Sequence, residues 1–339
     1  FLITSVSVSS ANFIAKEFKG EKNITHRFFP FDKLSLVKSF LDGWSPDLVI
    51  FVDSEIWPNF IFEVKIRKIP LVLLNGRITK KTYKRWMKIK YFSNLVFNRI
   101  TVAFPQNIET RFFLKKLSTK KINLIGNLKF AENHEENLIK LNKKLESEFN
   151  KKKIWVASST HKDEEEFCAK AHIELKKKIQ NLLTVIIPRH IHRLPEITKK
   201  IEELELNYVL HSDKVKSLKN IDIYIVNTFG ETNNFHRLAS SVFLGGSIIK
   251  RGGQNPLEAA RHGAKILHGP NTDNFKDVYK LLKSLKISKK VNTPMQLASA
   301  INFKKNKVSG LKIKNIGEKI LKKTIKELDK LIINEFKKT

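Results

Sequence analysis

The chain has 339 residues, of which 41% are hydrophobic and 10% aromatic, enough to fill the cores of two ordinary domains and too apolar for a disordered chain. Lys and Arg number 64 against 33 Asp and Glu, so a formal net charge of +31 points to an anionic partner. No apolar run reaches the ~20 residues that span a bilayer, and the single cysteine, Cys168, excludes an intramolecular disulfide.

Taken in order, residues 1–7 read as a strand that begins at Phe1. Apolar runs bounded by Pro, Gly or Asn follow at 48–52, 71–74, 100–103 and 122–125 and read as buried strands. Helical patterns lie between them at 59–66 and 83–97. Residues 131–153 are polar, charge-rich and free of proline, which predicts a connector with some helix. Strand-like runs restart at 154–157, 182–187, 221–226, 242–244 and 265–267. Residues 310–339 read as a Lys-rich amphipathic helix, with Ile313, Ile316, Ile320, Ile325 and Leu328 near helical spacing. The alternation predicts an α/β protein with two doubly wound domains, 1–130 and 154–309, the connector 131–153 and a terminal helix 310–339.

Charge alone does not name the partner. Lysine dominates over arginine, and abundant Lys, Asn, Ile and Phe are also what an AT-rich genome produces. The chain has no RRM-type aromatic motif, zinc-ligand spacing or Arg-rich helix, so no nucleic acid is expected and an anionic membrane surface fits the charge.

The most informative local run is Gly252-Gly253-Gln254-Asn255-Pro256-Leu257-Glu258. Asn255 suits an N-cap, Pro256 the first helical position and Glu258 the acid of a capping box, and a well-capped helix needs no ligand to explain it. The functional reading is that two glycines admit a ligand to a helix N-terminus, with Glu258 on sugar hydroxyls. Gly245-Gly246-Ser247, at a strand end, forms a second close-approach loop. Thr160 and Asp163, in Ser158-Ser159-Thr160-His161-Lys162-Asp163-Glu164-Glu165, read as a helix cap with acids in its first turn. Pro188-Arg189-His190-Ile191-His192-Arg193 ends a strand, where an arginine can grip a phosphate. His190 and His192 have no further ligand at metal spacing, and no metal is expected. Phe229-Gly230-Glu231 adds a close-approach glycine and an acid. Asp53 and Glu55 stand at a strand end before a proline-started helix, fit for orienting hydroxyls or merely for the helix dipole.

Residues 53–59, 75–77, 126–130, 158–165, 188–193, 230–231 and 245–258, with His268-Gly269-Pro270 and Asn274-Phe275-Lys276, resemble in order and spacing the Kdo transferase family. The resemblance covers about residues 1–300 and is most specific at 252–258 and 53–59. It implies the GT-B fold, two Rossmann-like domains facing a cleft. It also implies transfer of 3-deoxy-manno-octulosonate (Kdo) from CMP-Kdo to a lipid A precursor, on the cytoplasmic face of the bacterial inner membrane and without a cofactor. By the same resemblance Pro188 and Arg189 hold the CMP part, Phe229, Gly230 and Glu231 line that pocket, and Asn255, Pro256, Leu257 and Glu258 bind the ribose region. Lys129 and an acid of the Asp53/Glu55 pair support the transition state.

Asp53 departs from the family's usual Glu, and Asn227 from its more frequent Asp. Ser9 and Ser10 stand where a Ser-Val-Gly-Glu motif would carry Gly and the general base Glu. On the alignment that fits better, residues 1–10 match the strand after that motif, so the base and a membrane anchor are expected upstream of residue 1 and the chain alone is expected to lack activity. Two other readings stay open: a GT-B transferase using another nucleotide sugar, and an inactive remnant that binds nucleotide or anionic membrane.

Overall fold

The computed structural model describes residues 1–131, 143–213, 215 and 217–336. It divides into two compact units, Phe1–Leu128 with Lys322–Thr339, and Lys129–Leu321.

In the first unit, β1 (Leu2–Ser5) pairs in parallel with β2 (Thr25–Phe28). A second parallel sheet has the order β3 (Val49–Val52), β4 (Leu71–Gly76), β5 (Val102–Pro105). The middle strand runs Leu71-Val72-Leu73 without alternation because both its faces are covered. Leu71 and Leu73 pack with Phe60, Ile61 and Phe97, while Val72 packs with Val102, Phe104 and Leu328.

Two expectations fail in this unit. Residues 122–125 are not a strand: Ile122 makes a lone bridge to Ala103, and the chain then leaves the sheet before Gly126, whose φ is 138°. The pattern at 83–97 is not one helix but two, Lys80–Lys88 and Lys90–Phe97, parted at Ile89 (φ −118°, ψ 48°). The first helix has no buried residue, whereas Ser93, Val96 and Phe97 of the second are buried, so a rotated apolar face wins over helix continuity. Residues 59–66 do form a helix, Pro58–Ile66, whose cap comes from a distant Asp32 carboxylate accepting from the Asn59 and Phe60 N–H groups.

The second unit holds β6 (Lys153–Thr160), β7 (Leu182–Pro188), β8 (Tyr208–Leu210), β9 (Ile223–Ile225), β10 (Ser241–Leu244), β11 (Lys265–His268) and β12 (Ser288–Lys290). They form one parallel sheet in the order β12-β11-β10-β6-β7-β9-β8. One face buries Cys168, Ile197, Ile201 and Leu297 under the helices Glu164–Lys176, Leu194–Glu203 and Pro294–Ala300. The opposite face buries Phe149, Phe235, Leu257 and Leu282. Sequence reading missed β8 and β12, edge strands of three residues with too little burial to leave a pattern.

Part of the predicted connector, Lys143–Asn150, is a helix anchored by buried Phe149, while 132–142 lie outside the described residues. The terminal helix is Lys307–Phe336, and residues 337–339 of the predicted span are likewise not described. Ile313 is buried and Ile316 and Ile320 pack against the core, but Ile325 is exposed. Gly317 lies so close to the chain at Phe130 that a Cβ there would meet its carbonyl oxygen at 1.9 Å.

Candidate functional site

Successive strands of the second unit run outward from β6 in both directions, to β7 on one side and β10 on the other. The crevice between the carboxyl ends of β6 and β10 is therefore a topological switch point, the place where open parallel sheets bind ligands. Gly245 sits there because nothing larger fits: a Cβ would stand 2.3 Å from the Ser159 carbonyl oxygen. The loop after it is held by a residue that sequence reading passed over. The Glu164 carboxylate is fully buried and accepts four backbone N–H bonds. Oε2 takes those of His161 (3.0 Å) and Gly246 (2.6 Å), and Oε1 those of Ser247 (3.0 Å) and Ile248 (2.9 Å). The expected Thr160/Asp163 cap is absent. Asp163 is the N-cap residue in a left-handed conformation (φ 70°) and makes no side-chain cap bond.

The glycine pair is also corrected. Gly252 and Gly253 both have positive φ (83° and 74°), but the space beside them is filled by the chain itself. A Cβ on Gly252 would meet the Asn274 amide at 2.6 Å, and one on Gly253 the Asn271 carbonyl at 3.2 Å. They shape the loop rather than open it to a ligand. The helix beyond is Leu257–Arg261 and starts one residue later than expected, with Pro256 as its N-cap residue. Asn255 still serves the turn, since its Oδ1 accepts from Leu257 N–H at 3.1 Å. Glu258 lies in the first turn, part-exposed, with Oε1 3.8 Å from Nδ1 of buried His236.

After β7, Pro188 is buried in the sheet and Arg189 is exposed, its N–H donating to the Thr160 carbonyl (2.9 Å). Arg193, the other arginine of that run, is committed to structure through a two-bond pair with buried Glu165 (3.0 and 3.2 Å). Burial pushes the Glu165 carboxyl up, against the pull of Arg193. Burial also pushes the His161 imidazole down, and His190, Arg251, Arg189 and Arg193 lower it further. Positive charge thus converges at the switch point, which favours a bound anion. Arg251 belongs to this group and was missed, although Lys250-Arg251 stands in plain sight before the glycine pair.

After β9, Phe229 is 82% exposed and Gly230 has φ 84°. Glu231 is tied down at both oxygens, by Thr228 Oγ1 (2.8 Å) and by His211 Nε2 (2.9 Å), and His211 Nδ1 lies 2.6 Å from the Tyr224 hydroxyl. Asn227 bonds Ser212 rather than the loop. Lys129 also belongs to the second unit, with its ammonium 5.8 Å from the centre of the Phe275 ring and its carbonyl accepting from Arg261.

Asp53 and Glu55 belong to the first unit. Asp53 (φ 59°) and Asn75 (φ 52°) are both left-handed, a conformation that short polar side chains tolerate best, and Asn75 Nδ2 donates to Asp53 Oδ1 at 2.7 Å. Asn75 Oδ1 in turn accepts from Leu128 N–H. Glu55 is exposed, and its carboxylate accepts from Trp57 Nε1 at 2.6 Å. Among the described residues no three His, Cys, Asp or Glu side chains converge as a metal cluster.

Residues 1–132 match the family model described as 3-deoxy-D-manno-octulosonic-acid transferase (kdotransferase). A 3-deoxy-D-manno-octulosonic acid transferase of Rickettsia bellii is 31% identical over 340 residues, covering 99% of this chain and 79% of that protein. The transferase of the same name from Haemophilus influenzae is 28% identical, covering 91% of this chain and 74% of its own length. Among solved structures, Anabaena HepE in complex with UDP has a TM-score of 0.58 at 9% identity, with 97% of this chain and 92% of that one covered. That likeness is one of fold, the GT-B architecture.

Proposed function

Since this chain belongs to the 3-deoxy-D-manno-octulosonic acid transferase family, we propose that it is a glycosyltransferase that moves Kdo from CMP-Kdo to a lipid A precursor in lipopolysaccharide biosynthesis. The observation that carries this is the 31% identity to a named transferase across 99% of the chain. The site chemistry agrees with it. A nucleoside monophosphate leaving group is an anion, and the exposed Arg189 stands with Arg251 at the switch point, where a guanidinium can pair with phosphate.

In this reading Pro188 fixes the backbone turn that presents Arg189 to the phosphate. Phe229, with Gly230 and Glu231, borders the nucleotide, and Asn255 to Glu258 meet the ribose, Glu258 through its carboxylate. Lys129 is a cation for the developing charge of the transition state. Of the two acids, Glu55 is the more open to a substrate, because it is exposed whereas Asp53 is half-buried beside Asn75. The acceptor sits in a membrane, and the helix Lys80–Lys88 supports contact with an anionic surface there. It carries Lys80, Lys81, Lys84, Arg85 and Lys88 with no acid, buries no residue, and is followed by exposed Ile89 and Tyr91. The working place of the enzyme is then the cytoplasmic face of the inner membrane. No helix among the described residues is long and apolar enough to cross it.

Calorimetric titration of the chain with CMP tests the donor site. Charge-assisted hydrogen bonds contribute roughly 1.5–3 kcal/mol, so Arg189→Ala should weaken CMP binding by about tenfold to a hundredfold. No binding by the unaltered chain, or equal binding by the variant, rejects the assignment.

A further inference from the structure

His236 lies in the helix Thr232–Leu238 and is 2% exposed. Its Nε2 is 3.0 Å from Ser158 Oγ on β6. Its Nδ1 is buried without a hydrogen-bond partner and stands 3.8 Å from Glu258 Oε1. Buried polar atoms are rarely left unpaired, and one that faces a part-exposed carboxylate just beyond bonding distance marks a contact poised to close. The chemistry fixes the direction of each bond. An ionised carboxylate only accepts, so the proton of a neutral imidazole must sit on Nδ1, and the Ser158 hydroxyl then donates to Nε2. The ring is neutral, because burial, helped by nearby His262, pushes its pKa down to about 3. The Ser158 carbonyl also accepts the Gly245 N–H at 2.9 Å, so bonded contacts run from the switch point as far as the His236 ring, one open gap short of Glu258.

We propose that His236 is the positioning residue of Glu258: its Nδ1–H closes on Oε1 when nucleotide engages the other carboxylate oxygen, and so sets that oxygen toward the ribose hydroxyls. Nothing in the sequence marks His236 for this task. The inference rests on the reading of Glu258 as a nucleotide-binding residue given above.

Calorimetric titration of the full chain with CMP separates the possibilities. An Asn amide nitrogen reaches about where Nδ1 lies, whereas a Gln amide reaches about where Nε2 lies. Glu258→Ala should weaken CMP about tenfold and His236→Gln about fivefold to tenfold, while His236→Asn should stay within about twofold of the unaltered chain. The double variant His236→Gln with Glu258→Ala should be no weaker than Glu258→Ala alone, since His236 acts only through Glu258. A loss in His236→Asn equal to that in His236→Gln means that the ring merely fills space, and overturns the proposal. So does a double variant whose loss is the product of the two single losses. Weakened binding in Glu258→Ala beside an unaffected His236→Gln overturns the positioning role alone. Unchanged binding in Glu258→Ala overturns the donor-site reading and the positioning role with it.

Discussion

The Glu164 carboxylate is sealed from water, so its four backbone partners are all that compensate for its desolvation. Replacing one oxygen with an amide nitrogen turns an acceptor toward donors. Glu164→Gln should therefore cost roughly 2–4 kcal/mol, read as a lower urea midpoint. An unchanged midpoint would mean that the carboxylate does not hold the loop. In the sequence this residue is indistinguishable from its acidic neighbours 163–166, because three of its partners lie 82 to 84 residues further along. Arg189 was legible for the opposite reason, since a strand end followed by an arginine is a local pattern. Asp53 was legible as an acid at a strand end, but its left-handed backbone and its bond to Asn75 depend on a neighbouring strand.

Helices fared unevenly for a similar reason. Pro58–Ile66 begins at its proline as read, yet its cap is Asp32, 27 and 28 residues earlier. The break at Ile89 carries no proline or glycine and follows only from which face the next turn buries. That break leaves a helix with five cations, followed by exposed Ile89 and Tyr91, and a membrane role can be tested on it directly. Each basic residue near an anionic bilayer is worth about 1 kcal/mol. Lys84→Glu with Arg85→Glu should then weaken binding to vesicles rich in anionic lipid by at least about tenfold. Binding should also fall as salt rises past ~0.15 M, where the Debye length is about 8 Å. Equal binding to neutral vesicles, or no effect of the double variant, would detach this helix from the membrane.

For the molecule as a whole, the alternation of apolar runs with helical patterns was enough to predict the parallel α/β architecture, because buried parallel strands such as Leu71–Gly76 and Leu182–Pro188 are apolar throughout. What alternation does not contain is strand order. The position of β6 between β7 and β10 creates the switch point, and only the folded sheet reveals that Glu164, Arg189, Gly245 and Arg251 meet around it. We therefore propose that nucleotide binds at the carboxyl edge of the second unit's sheet. Amide hydrogen exchange of the full chain, with and without saturating CMP, reads this most directly. Added protection is expected at 188–193, 228–232 and 252–258, with little change in β8 and β12 at the far edges of the sheet. Protection confined to the first unit, or none at all with CMP bound, would contradict it.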